Sequence, residues 1–344
     1  MTIHSSDWNV VLSSAGRRAY LVDYFKAALG KSGKVITTNA MADATAMIHA
    51  DIACVIPHAG DGGFVDALVD VCETYSAKLL FSLHDWEAPF IAPNRDRFLK
   101  VGCMPVISSP EVIRLCLDKY DTYLYLKRMG LPSPTTFVDL NEAHQAIASG
   151  EFNFPLILKP RCGQGSVFLE VAHSLEELDL LWRLLNQKIG RIESNGLLNN
   201  AGGPLLIQQK VNGCEFDVEV VNDLQGNYVS TLSKTKLTMR SGECETAETL
   251  EDPRLERLGR QIASALGHIG VLDIDLIEQD GIIYVLEFNP RFGGCYPFSH
   301  MAGANLPAAY VAWAQGVLPD PSWLKVRPGI RAMKEITLII DDRK

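Results

Sequence analysis

The chain has 344 residues, room for two domains of roughly 150 residues or three smaller ones. Its 47% hydrophobic and 21% charged content excludes disorder, collagen and coiled coil as overall descriptions. With 32 Lys and Arg against 41 Asp and Glu, the net charge of -9 gives no general attraction for nucleic acid, whereas a basic surface, or an anion neutralised by metal, is easier to accommodate. The eight cysteines include no Cys-x-x-Cys pair, which removes zinc-ribbon and thioredoxin readings. Met1 to Trp8 lacks the basic start and long apolar run of a signal peptide, and no uncharged apolar run of about 18 residues is present to cross a membrane. The expectation is a cytoplasmic protein with reduced thiols and no membrane contact.

In chain order, Asn9 to Ser13 reads as a strand and Ala19 to Leu29 as a helix with Leu21, Val22, Phe25, Ala28 and Leu29 on one face. Apolar runs at Val35 to Thr38, Ile52 to Ile56, Leu79 to Leu83 and Met104 to Ile107 are separated by crossover lengths, including a helix from Phe64 to Tyr75. That alternation predicts a parallel, doubly wound sheet. The turn after the first strand, Ser13 to Arg18, holds a single glycine, so a dinucleotide fingerprint is absent. A helical stretch from Pro110 to Met129 stops at Gly130-Leu131-Pro132-Ser133-Pro134. Asp139 with Glu142, and Ser174 with Glu177, mark two further helix starts. Asn195 to Gly203 is rich in turn formers and reads as a mobile loop. Longer strands follow from Leu205, with helices at Pro253 to Leu266 and around Pro307 to Gly316.

Val271 to Gly294 carries the most chemistry. Two strands flank Asp280-Gly281, which predicts a hairpin. Leu272, Ile274 and Leu276 share a face of the first strand, and Tyr284, Leu286 and Phe288 one of the second. Opposed residues such as 274 and 288 sum to an even number, whereas a two-residue turn at 280 and 281 gives an odd sum. An odd-length loop or a bulge is therefore required to put both apolar sets on one core. The other face then gathers Asp273, Asp275, Glu287 and Asn289, with Arg291 two residues beyond. Carboxylates so gathered repel unless a cation neutralises them, and oxygen-only donors suit magnesium. The alternative is that the acids of the first strand line the wet face of an edge strand.

Pro155 to Val167 is an apolar strand ending in Lys159, followed by a loop with Gly163 and Gly165 before the next strand. Glycines let backbone amides approach phosphate oxygens and the lysine adds a point charge. The same composition also serves an ordinary hairpin.

Together these segments resemble the ATP-grasp superfamily, and within it one half of the carbamoyl phosphate synthetase large chain and the biotin carboxylase group. The resemblance takes in Asp118-Lys119, Lys159 with the loop 163 to 166, Gln208 to Glu215, Arg240 to Glu243, and Asp275 with Glu287 to Arg291. It implies a mixed α/β and α+β fold: a Rossmann-like doubly wound domain at 1–108, connecting helices and a lid at 109–204, and a C-terminal antiparallel domain with a metal site at 205–344. Lys119 and Lys159 resemble the lysines that reach the nucleotide phosphates, and Gly163, Gly165 and Ser166 the flap above them. Gln209, Lys210 and Val211 resemble the adenine hinge, with Glu215 on the ribose. Asp275, Glu287 and Asn289 resemble ligands to magnesium, with manganese as the alternative. Arg291 resembles the arginine on the transferred phosphoryl group, and Arg240 and Glu243 belong to the loop beside the activated carboxylate.

The implied activity is ATP-dependent formation of an acyl phosphate from a small-molecule carboxylate, captured by an amine or thiol, with a homodimer as the assembly considered. A carbamoyl phosphate synthetase-like reaction on bicarbonate or carbamate, and an ATP-binding module without turnover, are the alternatives. The hinge reads Gln208-Gln209-Lys210 where the family has Gln-Glu, and Arg240 stands where a synthetase commonly has histidine, which weakens bicarbonate as the substrate. Arg17, Arg18, His84, Asp85 and Glu87 fall at strand ends of the first sheet, where open sheets meet ligands. Their mixed charge matches a zwitterion such as an amino acid, and polar loop filler is the plainer alternative.

Overall fold

The computed structural model describes residues 8–163, 165–190 and 203–341, so the loop expected at Asn195 to Gly203 lies outside the described residues except for Gly203. Five short runs form the first sheet: β1 (Asn9–Ser13), β2 (Val35–Asn39), β3 (Ile52–Val55), β4 (Ala77–Ser82) and β5 (Met104–Pro105). All pairings are parallel, in the order β3-β2-β1-β4-β5. The near-continuous apolar content of β1, buried along its whole length, follows from helices covering both faces of such a sheet. The doubly wound expectation is met. The strand order reverses between β1 and β4, so their carboxyl ends flank the crevice where this architecture meets ligands.

The helical stretch expected from Pro110 to Met129 is two helices, Pro110–Leu117 and Lys119–Arg128, broken at Asp118. The Asp118 carboxylate accepts from the Tyr120 and Asp121 amides and caps the second helix. It also receives the buried Arg161 guanidinium, with Nη2 at 2.6 Å. A cap residue has non-helical backbone, so the Asp118 cap goes with the break. Both marked helix starts hold: Asp139 caps Leu140–Ala148, and Ser174 Oγ accepts from the Glu177 amide at the start of Leu175–Gly190.

A four-stranded sheet, ordered β6-β9-β7-β8, joins β6 (Thr136–Phe137), β7 (Leu156–Pro160), β8 (Glu170–Ala172) and β9 (Leu205–Gln209). Beyond it stands a six-stranded antiparallel sheet of β10 (Cys214–Asn222), β11 (Tyr228–Arg240), β12 (Glu243–Leu250), β13 (Val271–Gln279), β14 (Ile282–Asn289) and β15 (Arg331–Met333). Its order is β14-β13-β10-β11-β12-β15. One face, with Phe216, Val218, Leu272, Ile274 and Phe288, packs on Leu255 and Ile262 of the helix Pro253–Leu266. The opposite face carries the charges described below.

The β13–β14 hairpin settles the parity problem with a bulge. Gln279 pairs with Ile282 across a two-residue turn and Leu276 with Val285, but Asp275 pairs with Glu287, so the register slips by one. Beyond the slip Asp275 faces Glu287 and Asp273 faces Asn289, as the patterning requires. On the turn side the expected face is inverted: Val285 is fully buried, while Tyr284 and Leu286 are only half-buried. The bulge absorbs the odd residue at Leu286 on β14, beyond the turn and not at it. Val285→Ala should therefore cost about 2 kcal/mol of stability and Tyr284→Ala less than about 1 kcal/mol. Urea unfolding measures both, and the reverse ranking would remove the bulge.

Candidate active site

Alternation along β10, β11, β13 and β14 places Asp217, Glu219, Lys234, Lys236, Asp273, Asp275, Glu287 and Asn289 on one face. Register aligns Glu287, Asp275, Asp217 and Lys234 in a single row across four strands. The Lys234 ammonium is wholly buried, 2.7 Å from Asp217 and 2.6 Å from Glu219. Ser299 Oγ donates to Glu219 at 2.7 Å. Burial opposes the Asp217 charge, yet Lys234 and Lys236 hold its pKa down at about 2. Lys236 makes a close ion pair with Asp275. Five carboxylates thus face five cations: Lys234 and Lys236 on the sheet, with Lys119, Lys159 and Arg291 from neighbouring segments.

Lys119 is the first residue of its helix, and its Nζ lies 3.1 Å from Glu287 Oε2 and donates to the Gly163 carbonyl at 2.7 Å. Burial works against its charge, but the Glu287 carboxylate holds its pKa above the usual lysine value. Burial likewise disfavours the Glu287 charge, and Lys119 and Lys159 pull its pKa far below the ordinary carboxylate range. Lys159, on β7, is lowered to about 8 by burial, with Lys119 adding to the shift and Glu287 and Asp275 opposing it. Asp275 is raised to about 6 by burial beside Glu287 and Asp217, against the pull of Lys236. Asp85, Lys119, Gly163 and Asn289 line a cleft at this point.

Arg291 closes the other end. Its Nη2 donates to Asp85 Oδ2 at 3.0 Å, and its Nε stands 2.8 Å from Asp85 Oδ1 without being aimed at it. Its Nη1 reaches Asp273 Oδ2 at 3.4 Å. Asp273 is pushed well above the usual carboxylate range by burial next to Asp217 and Asp275, despite Arg291. Gly293 permits this packing, because a Cβ there would lie 2.3 Å from Asp273 Oδ1.

The remaining expected residues lie around this cluster. Gln209, Lys210 and Val211 join β9 to β10, so they connect the two antiparallel sheets; the Gln209 amide donates to Thr135 O at 2.8 Å and Val211 is buried. Glu215 sits opposite Ile277 near the start of β10. Gly165 and Ser166 are exposed, and the Gly165 carbonyl abuts the tip of the β11–β12 hairpin, where a Cβ on Gly242 would come within 2.7 Å of it. Arg240 and Glu243, at that tip, pair with Glu245 at 3.2 Å and Arg17 at 2.6 Å instead of entering the buried cluster.

At the carboxyl ends of β1 and β4 the acids expected to meet an amine are already engaged. Glu87 is buried under three hydroxyls, Ser13 at 2.8 Å, Ser14 at 2.6 Å and Ser82 at 2.8 Å, and Asp85 is held by Arg291, so neither acid is open to an amine. Arg18 spends its Nη1 on the carbonyls of Leu83 and Phe292.

Residues 116–295, more than half of the chain, match the family model of the ATP-grasp domain. The chain belongs to the ATP-grasp family. Residues 10–107 match the model of the PylC-like N-terminal domain. Among curated relatives of this ATP-grasp chain, the carbamoyl phosphate synthase large chain of Mesorhizobium japonicum is 27% identical over 277 residues, covering 70% of this chain and 23% of that one. The chain therefore spans less than a quarter of the length of the relatives it matches. Two solved structures show the same fold. The biotin carboxylase domain dimer of Hydrogenobacter thermophilus 2-oxoglutarate carboxylase, in complex with MgADP, ADP and bicarbonate, is 18% identical at a TM-score of 0.73, covering 94% of this chain and 73% of that one. An L-amino acid ligase from Bacillus licheniformis is 18% identical at 0.65, covering 94% and 78%. Among the described residues no helix is long and apolar enough to cross a membrane.

The sequence reading passed over Asp217, Glu219, Lys234 and Lys236. Their signal was there as period-two charge within strands, which reads as a solvated face until the topology covers it. Lys234→Met should destabilise the fold by ~3–5 kcal/mol, because it leaves Glu219 buried without a counter-charge and Asp217 with Lys236 alone. Thermal and urea unfolding would test this, and a variant as stable as the parent would show that the face is wet.

Proposed function

We propose that the chain is an ATP-dependent ligase that activates a small-molecule carboxylate as an acyl phosphate for capture by an amine or thiol. The observation that carries it is the convergence of Lys119, Lys159, the Gly163 backbone and Glu287 at one point of an ATP-grasp chain. The division at 1–108, 109–204 and 205–344 belongs to the same reading, with the middle segment as lid and the hinge at Gln209, Lys210 and Val211 holding adenine above the ribose contact Glu215.

A divalent cation fits the donors present. Asp275 and Glu287 face each other in register beside Asn289, all three offering oxygen, and among the described residues no three His, Cys, Asp or Glu side chains are so placed that they could hold a metal ion. Two carboxylates and an amide suit magnesium, or manganese, which is held by few protein ligands together with substrate phosphates. When bound, such an ion supplies neutralisation of phosphate charge.

In the reaction a carboxylate oxygen bonds the terminal phosphorus as the bond to the bridging oxygen of ATP breaks and ADP departs. The amine or thiol then attacks the acyl carbon, phosphate leaves, and the nucleophile's proton passes to solvent. Lys119 and Lys159 bind and orient the phosphates, Arg291 offsets charge on the transferring group, and the loop at Gly163, Gly165 and Ser166, against the Gly242 hairpin tip, excludes water. Arg240 and Glu243 lie at that tip, on the side from which the carboxylate enters.

A second reading has bicarbonate as the carboxylate, favoured by the finding that Asp85 and Glu87 are both engaged and neither is open to an amine. ADP release with bicarbonate alone, against release with amino acid pools in bicarbonate-depleted buffer, separates the two. No release in either case would leave an ATP-binding module without turnover. Glu287→Gln should abolish ADP formation while the melting temperature stays near that of the parent, and unchanged turnover would remove the site.

Lys159 makes the binding pH-dependent. Its pKa of about 8 lies below the usual lysine value, and phosphate favours the charged form, so MgATP binding above pH 8 must take up a proton. Affinity should fall as pH rises through that value, by up to roughly tenfold per unit for one proton. Calorimetry in buffers of different ionisation enthalpy measures the uptake, which Lys159→Met should abolish; no uptake in the parent would contradict the assignment.

A further inference from the structure

The crevice between the carboxyl ends of β1 and β4, where the strand order of the first sheet reverses, is the place at which such sheets usually meet a ligand. Here it receives the Arg291-Phe292 segment. The Phe292 ring packs 5.8 Å from Phe81 of β4, 6.1 Å from Phe25 and 4.9 Å from Tyr296, centroid to centroid. Arg18, in the loop after β1, donates to the Phe292 carbonyl at 3.2 Å. Asp85, in the loop after β4, takes the side chain of Arg291. The N-terminal domain therefore grips this short segment by its ring, its backbone and its guanidinium.

Arg291 is held at two of its nitrogens, Nη2 by Asp85 Oδ2 at 3.0 Å and Nη1 by Asp273 Oδ2 at 3.4 Å, so Asp85 and Asp273 together set the plane of the guanidinium. The same Nη2 that donates to Asp85 lies 3.4 Å from Asn289 Oδ1. Both partners are nearly buried, the side chains of Arg291 and Asp85 being 10% and 11% exposed. Solvent therefore screens the pair little.

We propose that Asp85 is a positioning residue for phosphoryl transfer: it holds Arg291 in its working orientation, and through it the N-terminal domain completes a centre built on the other two sheets. This rests on the ligase reading above. The cost of removing Asp85 then falls mainly on turnover, since the ion pair of Asp85 is with Arg291 and that of Lys119 is with Glu287.

The test uses the full chain with MgATP as probe, in the amino acid and bicarbonate assay described above. Asp85→Asn should lower kcat roughly tenfold or more while KM for ATP stays within about twofold, and should add nothing further in an Arg291→Lys background. Modification of Arg291 by phenylglyoxal, followed by mass spectrometry without any turnover, should quicken by roughly tenfold in Asp85→Asn. Should that variant fail to fold, Asp85→Glu takes its place and is read in the same way. Additive losses in the double variant, or an unaltered phenylglyoxal rate with unaltered kcat, would overturn the proposal. Failure of the ligase reading looks different: Glu287→Gln would then leave MgATP binding and turnover unaffected, whatever Asp85 does.

Discussion

The structure depends on neutralising one buried, charged sheet face. Asp217, Glu219, Asp273, Asp275 and Glu287 lie side by side on three neighbouring strands, where desolvation penalises each of them. Lys234 meets two of the five and is itself hidden from water. The others need cations from elsewhere: Lys119 from a helix start, Lys159 from the neighbouring sheet, Lys236 from β11, and Arg291 from the segment beyond the hairpin. The start of the Lys119 helix, β11 and the segment beyond the hairpin are thereby bound to one sheet face. A face so balanced has cations that phosphate can recruit and carboxylates that a metal can take over in exchange.

Local features serve that exchange. The break at Asp118 sets Lys119 at a helix start, turned toward Glu287, and the Asp118–Arg161 pair ties that start to the end of β7, two residues beyond Lys159. Gly163 accepts from Lys119, and the loop it opens touches the Gly242 tip of the β11–β12 hairpin. The lysines, the loop and the hairpin tip are thus mechanically joined, so that occupation of the cleft by phosphate would be felt at the outer rim.

The hairpin was legible in the sequence because strand alternation is a parity statement. The odd sum across Asp280-Gly281 demanded a correction somewhere, and the structure supplies it between Glu287 and Val285. Its position was not legible, since a bulge is chosen by packing, and so Tyr284 and Leu286 were expected on the face that Val285 occupies. The parallel sheet was legible because its strands are buried on both sides and read as apolar runs. Partners brought together only by topology were not: Lys236 with Asp275 is 39 residues apart, and Arg291 with Asp85 is 206 apart. Open acids at the strand ends of the first sheet are not found for the same reason, since Arg291, 206 residues from Asp85, and Ser13 and Ser14, more than 70 residues from Glu87, are brought to them by the topology.

The most direct measurement is a crystal structure of the chain with magnesium and a non-hydrolysable ATP analogue. The account requires the β- and γ-phosphates within hydrogen-bonding distance of the Lys119 and Lys159 ammonium groups, with Lys119 turned from Glu287 toward phosphate and Glu287 facing the metal. Nucleotide bound elsewhere, or phosphates held in the cleft while the Lys119 to Glu287 pair stays closed and Lys159 stays clear, would contradict it.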